Sequence, residues 1–439
     1  MNIVYLHTHD SGRYWTPYGF PAVMPNTLAL ASEGLLFRNA FCAAPTCSPS
    51  RAALLTGQAA HSCGMLGLAH RGFALADPSR HLSGFLAGHG FETVLCGVQH
   101  EASADDGLGY EIRLTKDKCR DMVEWDLQNA RLAGEYLKQR HEKPFFLSLG
   151  LMNTHRPYPR RPEKESNADF VQPPWTAADT AANRNDMADY YYAAGIADRC
   201  FGMVLDGLRQ NGLEDNTVIL MTTDHGIAWP FMKCTLTDGG IGVGMIMKVP
   251  GMHQRFHTTD CLVSQLDVFP TLCDLLHLEK PSWLQGRSMI PVMEENREIR
   301  EEICAEVNYH SCYEPKRCIR TNRYKLIVRY DDYLNVVAAN IDPSPAKDFL
   351  REAGYMKGRK AREELYDLWI DPAERVNLID SPSHAEIYHD LLRRLNDWMK
   401  ATEDPLLHVR HRIRKPSGAR INLRTAYRAD EPEYEPADP

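Results

Sequence analysis

Short apolar segments alternate with amphipathic segments through the first two thirds of the chain. The apolar segments have the length and composition of buried strands: IVYL (3–6), ETVLCG (92–97), PFFLSLGL (144–151), TVILMTT (217–223) and VGMIMKVP (243–250). The amphipathic segments have helical spacing and cover residues 25–37, 81–90, 123–140, 186–212 and 266–276. A strand that is apolar on both sides must be covered on both faces. This order therefore predicts an α/β fold with a large, mostly parallel sheet flanked by helices.

The pattern changes after about residue 305. The later segments are two strands with one polar face and one amphipathic helix: RCIRTNRYKLIVRYDD (317–332), EELYDLWID (363–371) and HAEIYHDLLRRLNDWMK (384–400). They predict a smaller antiparallel sheet with one helix packed on it. We therefore expect a larger α/β domain at 1–305, a smaller α+β domain at 306–427 and an acidic, proline-rich tail at 428–439.

The composition narrows the class of protein. The 439 residues carry 50 basic and 58 acidic side chains, and the net charge of −8 argues against a nucleic-acid-binding protein. No run of about 20 apolar residues occurs, so we expect no membrane partner. The opening MNIVYLHTHDSG reads as a core strand without the features of a signal peptide, and we expect a cytoplasmic protein. The 12 cysteines are scattered without a CxxC pair, which favours reduced thiols.

Histidine or aspartate follows four of the predicted strands. The four strand ends are HTHD (7–10), VQH (98–100), MNTHRP (152–157) and DHG (224–226). In open parallel sheets, ligands bind beyond the carboxyl ends of the strands. A single such residue is more often a cap or a turn residue, whereas four strand ends together predict a functional site.

Two of these strand ends carry an adjacent histidine and aspartate. The pairs His9-Asp10 and Asp224-His225 could supply two carboxylates and two imidazoles to one divalent ion. The alternative is that the aspartates cap following helices. Both pairs follow strands expected to be neighbours in the sheet core, which favours the metal site.

Cys47 lies in the segment PTCSPSRAALLTG (45–57), just before a helix. Because proline is favoured in the first helical turn, we expect the helix to begin at Pro49 or Ser50, with Arg51 one turn from Cys47. Backbone amides and the helix dipole favour an anion at such a position. Three interpretations are open here: a buried thiol near a turn, a nucleophilic cysteine of low pKa, and a precursor of another group.

The same segment resembles the signature of the sulfatase family, C-x-P-S-R followed by apolar residues and T-G. GFETVLCGVQH (90–100) and ELYDLWIDPAERVNLID (364–380) are similar to two further segments of that family. LFRNAFCAAPTCSPSRAALLTGQAAHSCGMLGL (36–68) and LNDWMKATEDPLL (395–407) are similar to its heparan N-sulfatase subgroup. The resemblance implies an alkaline-phosphatase-like fold and a hydrolase that releases sulfate from a sulfated sugar, with the N-sulfate of glucosamine as the expected substrate.

The resemblance also implies the nucleophile and the metal ligands. A separate maturation enzyme would oxidise Cys47 to formylglycine, whose hydrate is both the nucleophile and a metal ligand. The other ligands of one divalent ion would be His9, Asp10, Asp224 and His225. The family implies Ca²⁺, with Mn²⁺ or Mg²⁺ as alternatives.

Four further residues receive catalytic roles from the resemblance. Arg51 would stabilise the hydrate, and His100 would be the base that deprotonates it once it carries sulfate. His155 and Lys233 would contact sulfate, and His155 would also donate a proton to the leaving group. Taken singly, His100 and His155 could instead be core residues bonded to the backbone.

Two positions depart from the family pattern. His9 stands where the family usually has aspartate, and a second histidine favours a softer ion such as Mn²⁺. Val98 stands where the family usually has a lysine that contacts sulfate. Either Gln99 replaces this lysine as a neutral donor, or a basic residue elsewhere, such as Arg71 or Arg156, approaches the sulfate.

The sequence identifies the residues that would contact the sugar less specifically than it identifies the catalytic residues. Glu306, His310 and Lys316 in EVNYHSCYEPK are candidates, and so are His70 and Arg71 in GLAHRG. The alternative, which the sequence favours equally, is that these are ordinary surface residues. A pocket for an acidic saccharide is expected to be locally basic despite the acidic whole.

The expected partners are a sulfated saccharide and a maturation enzyme, with a homo-oligomer left open. Three other functions compete with N-sulfate hydrolysis. The protein could hydrolyse the O-sulfate of another carbohydrate, or a phosphonate or phosphate monoester, as other members of the superfamily do. It could also be a non-catalytic carbohydrate-binding relative in which Cys47 stays unmodified.

Overall fold

The computed structural model describes residues 1–103, 107–115, 119–162, 167–252, 256–408 and 412–436. The strands in these ranges are β1 (Asn2–Thr8), β2 (Leu35–Phe37), β3 (Ala40–Phe41), β4 (Glu92–Gly97), β5 (Ile112–Arg113), β6 (Phe145–Gly150), β7 (Thr217–Thr223), β8 (Met245–Lys248), β9 (Thr258–Thr259), β10 (Val263–Ser264), β11 (Glu302–Tyr309), β12 (Tyr313–Thr321), β13 (Tyr324–Arg329) and β14 (Glu363–Asp367).

The helices in the same ranges are α1 (Pro25–Glu33), α2 (Cys47–Thr56), α3 (Ala60–Cys63), α4 (Leu82–Gly88), α5 (Met122–Leu137), α6 (Ala181–Gln210), α7 (Asp238–Ile241), α8 (Val268–Leu275), α9 (Ile290–Glu295), α10 (Pro345–Glu352) and α11 (Ala385–Ala401). Within the described ranges, none of them is long and apolar enough to cross a membrane.

Eight of the described strands form the main sheet, in the order β5-β4-β6-β1-β7-β8-β2-β9. Neighbouring strands are parallel except at β8, which runs antiparallel to both β7 and β2. The central strand β1 pairs with β6 on one side and with β7 along its whole length on the other. The large, mostly parallel sheet predicted from the apolar segments is confirmed.

Alternate residues of β1 enter two separate apolar layers. Ile3 and Tyr5 pack on the face covered by α2, α4 and α8, whereas Val4 and Leu6 pack on the face covered by α1, α5 and α6. Successive side chains of a strand point to opposite faces, so a strand that is apolar throughout fills both layers. This explains why the core strands read as unbroken apolar runs.

The segment 25–37, predicted as one helix, is a helix followed by a strand. α1 ends at Glu33, and β2 begins at Leu35 and pairs with β8. Gly34 lies between them, where a Cβ atom would come within 2.6 Å of the Met247 carbonyl oxygen. The apolar run LLF therefore joins the sheet edge, a tertiary contact that helical spacing does not reveal.

The second sheet is antiparallel and has the order β11-β12-β13-β14. On one face, Ile319 and Leu326 pack against Leu391 and Leu395 of α11. The opposite face, which includes Ile327, joins the core of the main sheet. The small antiparallel sheet with one helix is confirmed. Because β11 crosses the expected 305/306 boundary, the division into two domains stays a prediction.

The C-terminal segment 412–436 packs back on the rest of the chain. The Asn422 N–H donates to the carbonyl of Ser311 (2.9 Å), and the carbonyl of Tyr427 accepts from the Lys347 ammonium group (2.8 Å). Of the acidic tail predicted at 428–439, residues 437–439 lie outside the described part of the chain.

Leu395→Ala tests how α11 is held on the small sheet. Leu395 is fully buried, so its truncation leaves a cavity and should lower the free energy of unfolding by about 2–5 kcal/mol in chemical denaturation. Leu28→Ala is the matched control, because Leu28 on α1 is 45% exposed and its truncation should cost less than about 0.5 kcal/mol. Equal losses for the two variants would contradict this packing.

Candidate active site

The four strands with polar ends are consecutive neighbours in the main sheet. They lie in the order β4-β6-β1-β7 and run parallel to one another. Their carboxyl ends therefore open on the same edge of the sheet, and the segments that follow them converge. The structure thus brings together the strand ends that the sequence singled out.

Helix α2 begins at Cys47, two residues before the earliest start expected from Pro49. Thr46 is extended and precedes the helix. Pro49 occupies the third helical position, still within the first turn, where the missing N–H of proline breaks no hydrogen bond. The Ser50 hydroxyl donates to the carbonyl of Asp224 (2.5 Å), which fixes the start of α2 against the end of β7.

Cys47 lies in a buried cluster of potential metal ligands. We call it the metal-type cluster, and it consists of His9, Asp10, Cys47, Asp224 and His225. Ligand atoms of His9, Asp10, Cys47 and Asp224 all lie within 4.8 Å of one another, and all four residues are buried. The Nε2 atom of His225 is 3.4 Å from Asp10 Oδ1 and also 3.4 Å from Cys47 Sγ. The two histidine–aspartate pairs therefore meet around the thiol.

The donor set of this cluster fits a divalent ion. Carboxylate oxygens, imidazole nitrogens and sulfur all ligate such ions. His9 Nε2 is buried and has no hydrogen-bond partner among the described residues, as expected of an atom that ligates an ion. The competing interpretation fails, because neither aspartate is the N-cap residue of a described helix. After Asp10 the next helical turn is a short one, Thr16–Tyr18, capped by Trp15, and after Asp224 the next described helix is α7, capped by Thr237.

Neighbouring charges set the protonation of this cluster. Burial alone would raise the pKa of Asp224, but His225 and Arg51 lower it well below its ordinary value, so the carboxylate stays ionised. Burial raises the pKa of the Cys47 thiol well above its ordinary value. This argues against a cysteine nucleophile of low pKa.

Arg51 joins three parts of the site. Its Nη2 atom donates to the carbonyl of Thr8 (2.8 Å) and to Asp224 Oδ2 (3.0 Å), and its Nη1 atom contacts His7 Nδ1. The side chain is almost completely buried, so its positive charge is fixed one helical turn from Cys47. The arginine of the sulfatase-like signature therefore holds α2 to the ends of β1 and β7.

Lys233 supplies a second fixed cation beside Cys47. Its ammonium nitrogen donates to Asp10 Oδ2 (2.9 Å) and lies 3.2 Å from Asp342 Oδ2. Burial would lower the pKa of Lys233, but Asp10 and Asp342 raise it well above its ordinary value. The lysine therefore stays charged inside the protein and can attract an anion.

Two more histidines lie next to the metal-type cluster. The ring centre of His9 is 4.5 Å from that of His100 and 5.5 Å from that of His155. Burial and the charge of Arg51 lower the pKa of His100 well below its ordinary value, so its ring is unprotonated. His155 Nδ1 donates to the carbonyl of Arg156 (2.5 Å), and its Nε2 lies 3.9 Å from Asp10 Oδ2.

The two arginines considered as replacements for the missing lysine contact other parts of the chain. Arg71 donates to Asn422 Oδ1 (2.8 Å) and to the carbonyl of Ala429 (2.8 Å), and so holds the C-terminal segment. Arg156 pairs with Asp186 on α6 and donates to the carbonyl of Ala228. The structure does not bring either guanidinium group to the cluster.

The other sugar-contact candidates occupy different positions. Glu306 is buried in an ion pair with His61 and does not reach the cluster, and Lys316 bonds the carbonyl of Cys234 (2.8 Å). Gln99 Oε1 accepts from the backbone N–H groups of Glu101 and Ala102 within its own turn.

The pKa values of the two remaining histidine candidates, His310 and His70, are both lowered. Burial and Lys233 lower the pKa of His310 well below its ordinary value. Partial burial and the charge of Arg71 lower the pKa of His70, which lies in the middle of a short helical turn, Ala69–Arg71.

Three residues of the site are missing from the sequence-based set. His7 contacts Arg51. The sequence does indicate this residue, because His7 precedes His9 by two positions, and residues i and i+2 of a strand lie on the same face. Gln265 donates to the carbonyl of Thr223 (2.7 Å), and Asp342 pairs with Lys233. The latter two come from distant segments, and nothing in their local sequence indicates a site.

Known proteins are similar to this chain in sequence and in fold. Residues 1–278 match the family model described as Sulfatase, and residues 225–361 match the one described as N-sulphoglucosamine sulphohydrolase, C-terminal. The chain is 28% identical to the N-sulphoglucosamine sulphohydrolase of Homo sapiens, over 92% of this chain and 91% of that protein.

Two solved structures show how widely the fold is shared. A 2-O GAG sulfatase superposes with a TM-score of 0.72 at 20% identity, over 93% of this chain and 94% of the other. The phosphonate monoester hydrolase of Agrobacterium radiobacter superposes with a TM-score of 0.68 at 19% identity, over 92% and 97%. At these identities the likeness concerns the fold alone. The sulfatase match, in contrast, spans well over half of the sequence and includes the whole metal-type cluster around Cys47, so the chain belongs to the sulfatase family of hydrolases.

Proposed function

We propose that this chain releases sulfate from a sulfated sugar and that its preferred bond is the N-sulfate of glucosamine. The observation that carries the proposal is the position of Cys47. It heads α2, within reach of His225 and beside the buried cation Lys233, at the open edge of a parallel sheet. The similarity to the human N-sulphoglucosamine sulphohydrolase over almost the full length of both chains supports the N-sulfate in particular.

The first task of such a site is to bind a group with three negatively polarised oxygens. Lys233 and Arg51 are buried cations, and α2 begins at Cys47, so the positive end of the helix dipole lies at the same residue. Charges that are already oriented stabilise the transition state without reorganising. Because Val98 stands at the position of the family lysine, we assign the contact with a sulfate oxygen to Lys233.

The second task is to supply a nucleophile. We infer that a maturation enzyme oxidises Cys47 to formylglycine, because its unmodified thiol is held neutral by burial and is therefore a weak nucleophile. The hydrate of an aldehyde can attack sulfur and then expel sulfate as the aldehyde reforms. Arg51 lies one turn away and orients this group.

The third task is to move protons. The neutral ring of His100 can accept the proton of the hydroxyl group that remains after sulfur is attacked. His155 has its Nδ1 bonded to a carbonyl, so its Nε2 is the atom available to donate a proton to the departing nitrogen. Both rings pack edge-on against His9, with ring centres 4.5 Å and 5.5 Å away, so both lie next to the proposed metal ligands.

His9, Asp10, Asp224, His225 and residue 47 would hold a divalent ion. When bound, such an ion acts as a Lewis acid that polarises the S–O bonds. We propose Ca²⁺ from the family. The two imidazoles favour Mn²⁺ as the first alternative to test, and Mg²⁺ is a further one.

Defined substrates test the proposed function directly. Protein co-expressed with a maturation enzyme should desulfate N-sulfated glucosamine with a higher kcat/KM than 3-O- or 6-O-sulfated glucosamine. Released sulfate is measured by ion chromatography. Activity only on the O-sulfates would reject the N-sulfate and keep the broader sugar sulfatase. Faster hydrolysis of a phosphonate monoester than of any sulfated sugar would reject both.

Cys47→Ala tests the nucleophile. Turnover should fall on the order of 10⁶-fold, the loss typical of removing a nucleophile, while the melting temperature stays close to that of the parent. Cys200→Ala is the matched control, since Cys200 is equally buried but lies in α6. Peptide mass spectrometry of the parent should show an aldehyde in place of the thiol at residue 47. An unmodified thiol in fully active protein would contradict the mechanism.

Chelation tests the metal centre. A chelator should lower both the activity and the melting temperature, because an ion that binds only the folded state stabilises it. Asp224→Asn should weaken metal affinity by more than the roughly 10–100-fold typical of groups that only orient a ligand. Asp186→Asn, which removes a carboxylate outside the cluster, should retain the parental metal content by elemental analysis. Equal metal loss in both variants would place the ion elsewhere.

A further inference from the structure

Asp342 is an acidic side chain on the wall of a site built to attract an anion. It lies between a short helical turn, Ala338–Asn340, and helix α10. Its Oδ2 atom is 3.2 Å from the Lys233 ammonium nitrogen, and its side chain is 19% exposed. Lys233 in turn bonds Asp10, so Asp342 and the metal-type cluster share one cation.

The carboxylate of Asp342 accepts fewer hydrogen bonds from the described residues than it could. A carboxylate offers about four acceptor positions. Apart from the ion pair with Lys233, the described residues offer it no hydrogen-bond donor, and Oδ2 is a buried atom without a well-aligned hydrogen bond. Buried polar groups are normally satisfied, so open acceptors at a binding site point to a donor on the ligand.

Neutralising Lys233 does not by itself account for Asp342. Asp10 already makes the shorter contact with that ammonium group, at 2.9 Å. A second carboxylate beside the sulfate position also repels the substrate anion, which weakens binding unless it makes a compensating contact. Burial would raise the pKa of Asp342, but Lys233, His310 and His155 lower it well below its ordinary value, so it remains an acceptor at neutral pH.

The pair Lys233–Asp342 has a chemical complement. Lys233 supplies an ammonium donor, and Oδ1 of the adjacent carboxylate supplies an acceptor, since Oδ2 is the buried atom that faces Lys233. A sulfamate presents the reverse arrangement, with sulfate oxygens that accept and, one bond from sulfur, an N–H that donates. In an O-sulfate ester the corresponding atom is an oxygen without hydrogen, so it would face the carboxylate with a lone pair.

We propose that Asp342 accepts the N–H of the substrate sulfamate while Lys233 binds a sulfate oxygen, and that this contact selects N-sulfates over O-sulfates. The inference rests on the proposed N-sulfate activity and names the residue that confers it. Asp342 is thus a specificity residue, placed beside Lys233 by the C-terminal part of the chain. A site that hydrogen-bonds a substrate N–H discriminates strongly against an analogue that lacks it, because its own polar group is then left unpaired.

Paired substrates test this inference. kcat/KM is measured for N-sulfoglucosamine and for 4-nitrophenyl sulfate, with the parent, Asp342→Asn and Asp342→Ala. Losing a charged hydrogen bond should lower kcat/KM for the sulfamate by roughly 10–150-fold and change that for the ester by less than about 3-fold. Asp348→Asn, which removes an exposed carboxylate on α10, should leave both values unchanged. Melting curves confirm that each variant folds.

A parallel loss on both substrates would overturn the inference, because it would mean that Asp342 only balances the charge of Lys233. If the parent hydrolyses esters but not N-sulfoglucosamine, the proposed function itself has failed. In that case, inhibition of ester hydrolysis by glucosamine and by glucose decides the role of Asp342. Inhibition by glucosamine that weakens at least about 10-fold in Asp342→Asn, with glucose unaffected, supports a contact to the sugar nitrogen. Unchanged inhibition overturns it.

Discussion

A single buried carboxylate, that of Asp224, ties the site to the fold. It accepts the backbone N–H of Asp10 (2.8 Å), its Oδ2 lies 3.2 Å from His9 Nδ1, and it pairs with Arg51 from α2. Three segments that are far apart in the chain, the ends of β1 and β7 and the start of α2, therefore meet on one residue. Removing one partner of such a buried pair typically costs about 3–5 kcal/mol, because the other charge is left unpaired. The positions of the potential metal ligands and of Cys47 depend on this contact.

The sheet explains why these residues converge. Strands that are covered on both faces leave only their ends open, and the parallel arrangement places four carboxyl ends on one edge. Helix α2 then approaches that edge with its amino-terminal end. The small sheet packs its second face into the same core, so the C-terminal part of the chain can deliver His310 and Asp342 to the region of Lys233.

The parts that could be predicted from the sequence are those in which the local pattern determines the structure. Unbroken apolar runs require burial on both faces, and the polar residues that end them mark the open edge, so His9, Asp10, Asp224 and His225 could be recognised.

The start of α2 was misplaced by two residues, because proline is compatible with any position of the first turn. The strand Leu35–Phe37 was missed because only its pairing with β8 distinguishes it from a continuing helix. Arg71 and Glu306 are polar residues beside real site segments, but they hold the C-terminal segment and His61. Asp342 could not be found at all, since its only signal is a contact with a lysine 109 positions earlier in the chain.

The burial of Cys47 has a consequence for the order of events during biosynthesis. The thiol lies beneath the converging strand ends with about 5% of its residue surface accessible, and its surroundings keep it protonated. An enzyme that oxidises Cys47 has to reach its side chain, which the folded chain buries. If Cys47 is converted, the conversion has to take place before the chain has folded around it. The active and inactive forms would then be fixed at synthesis, and supplying the maturation enzyme to folded protein would come too late.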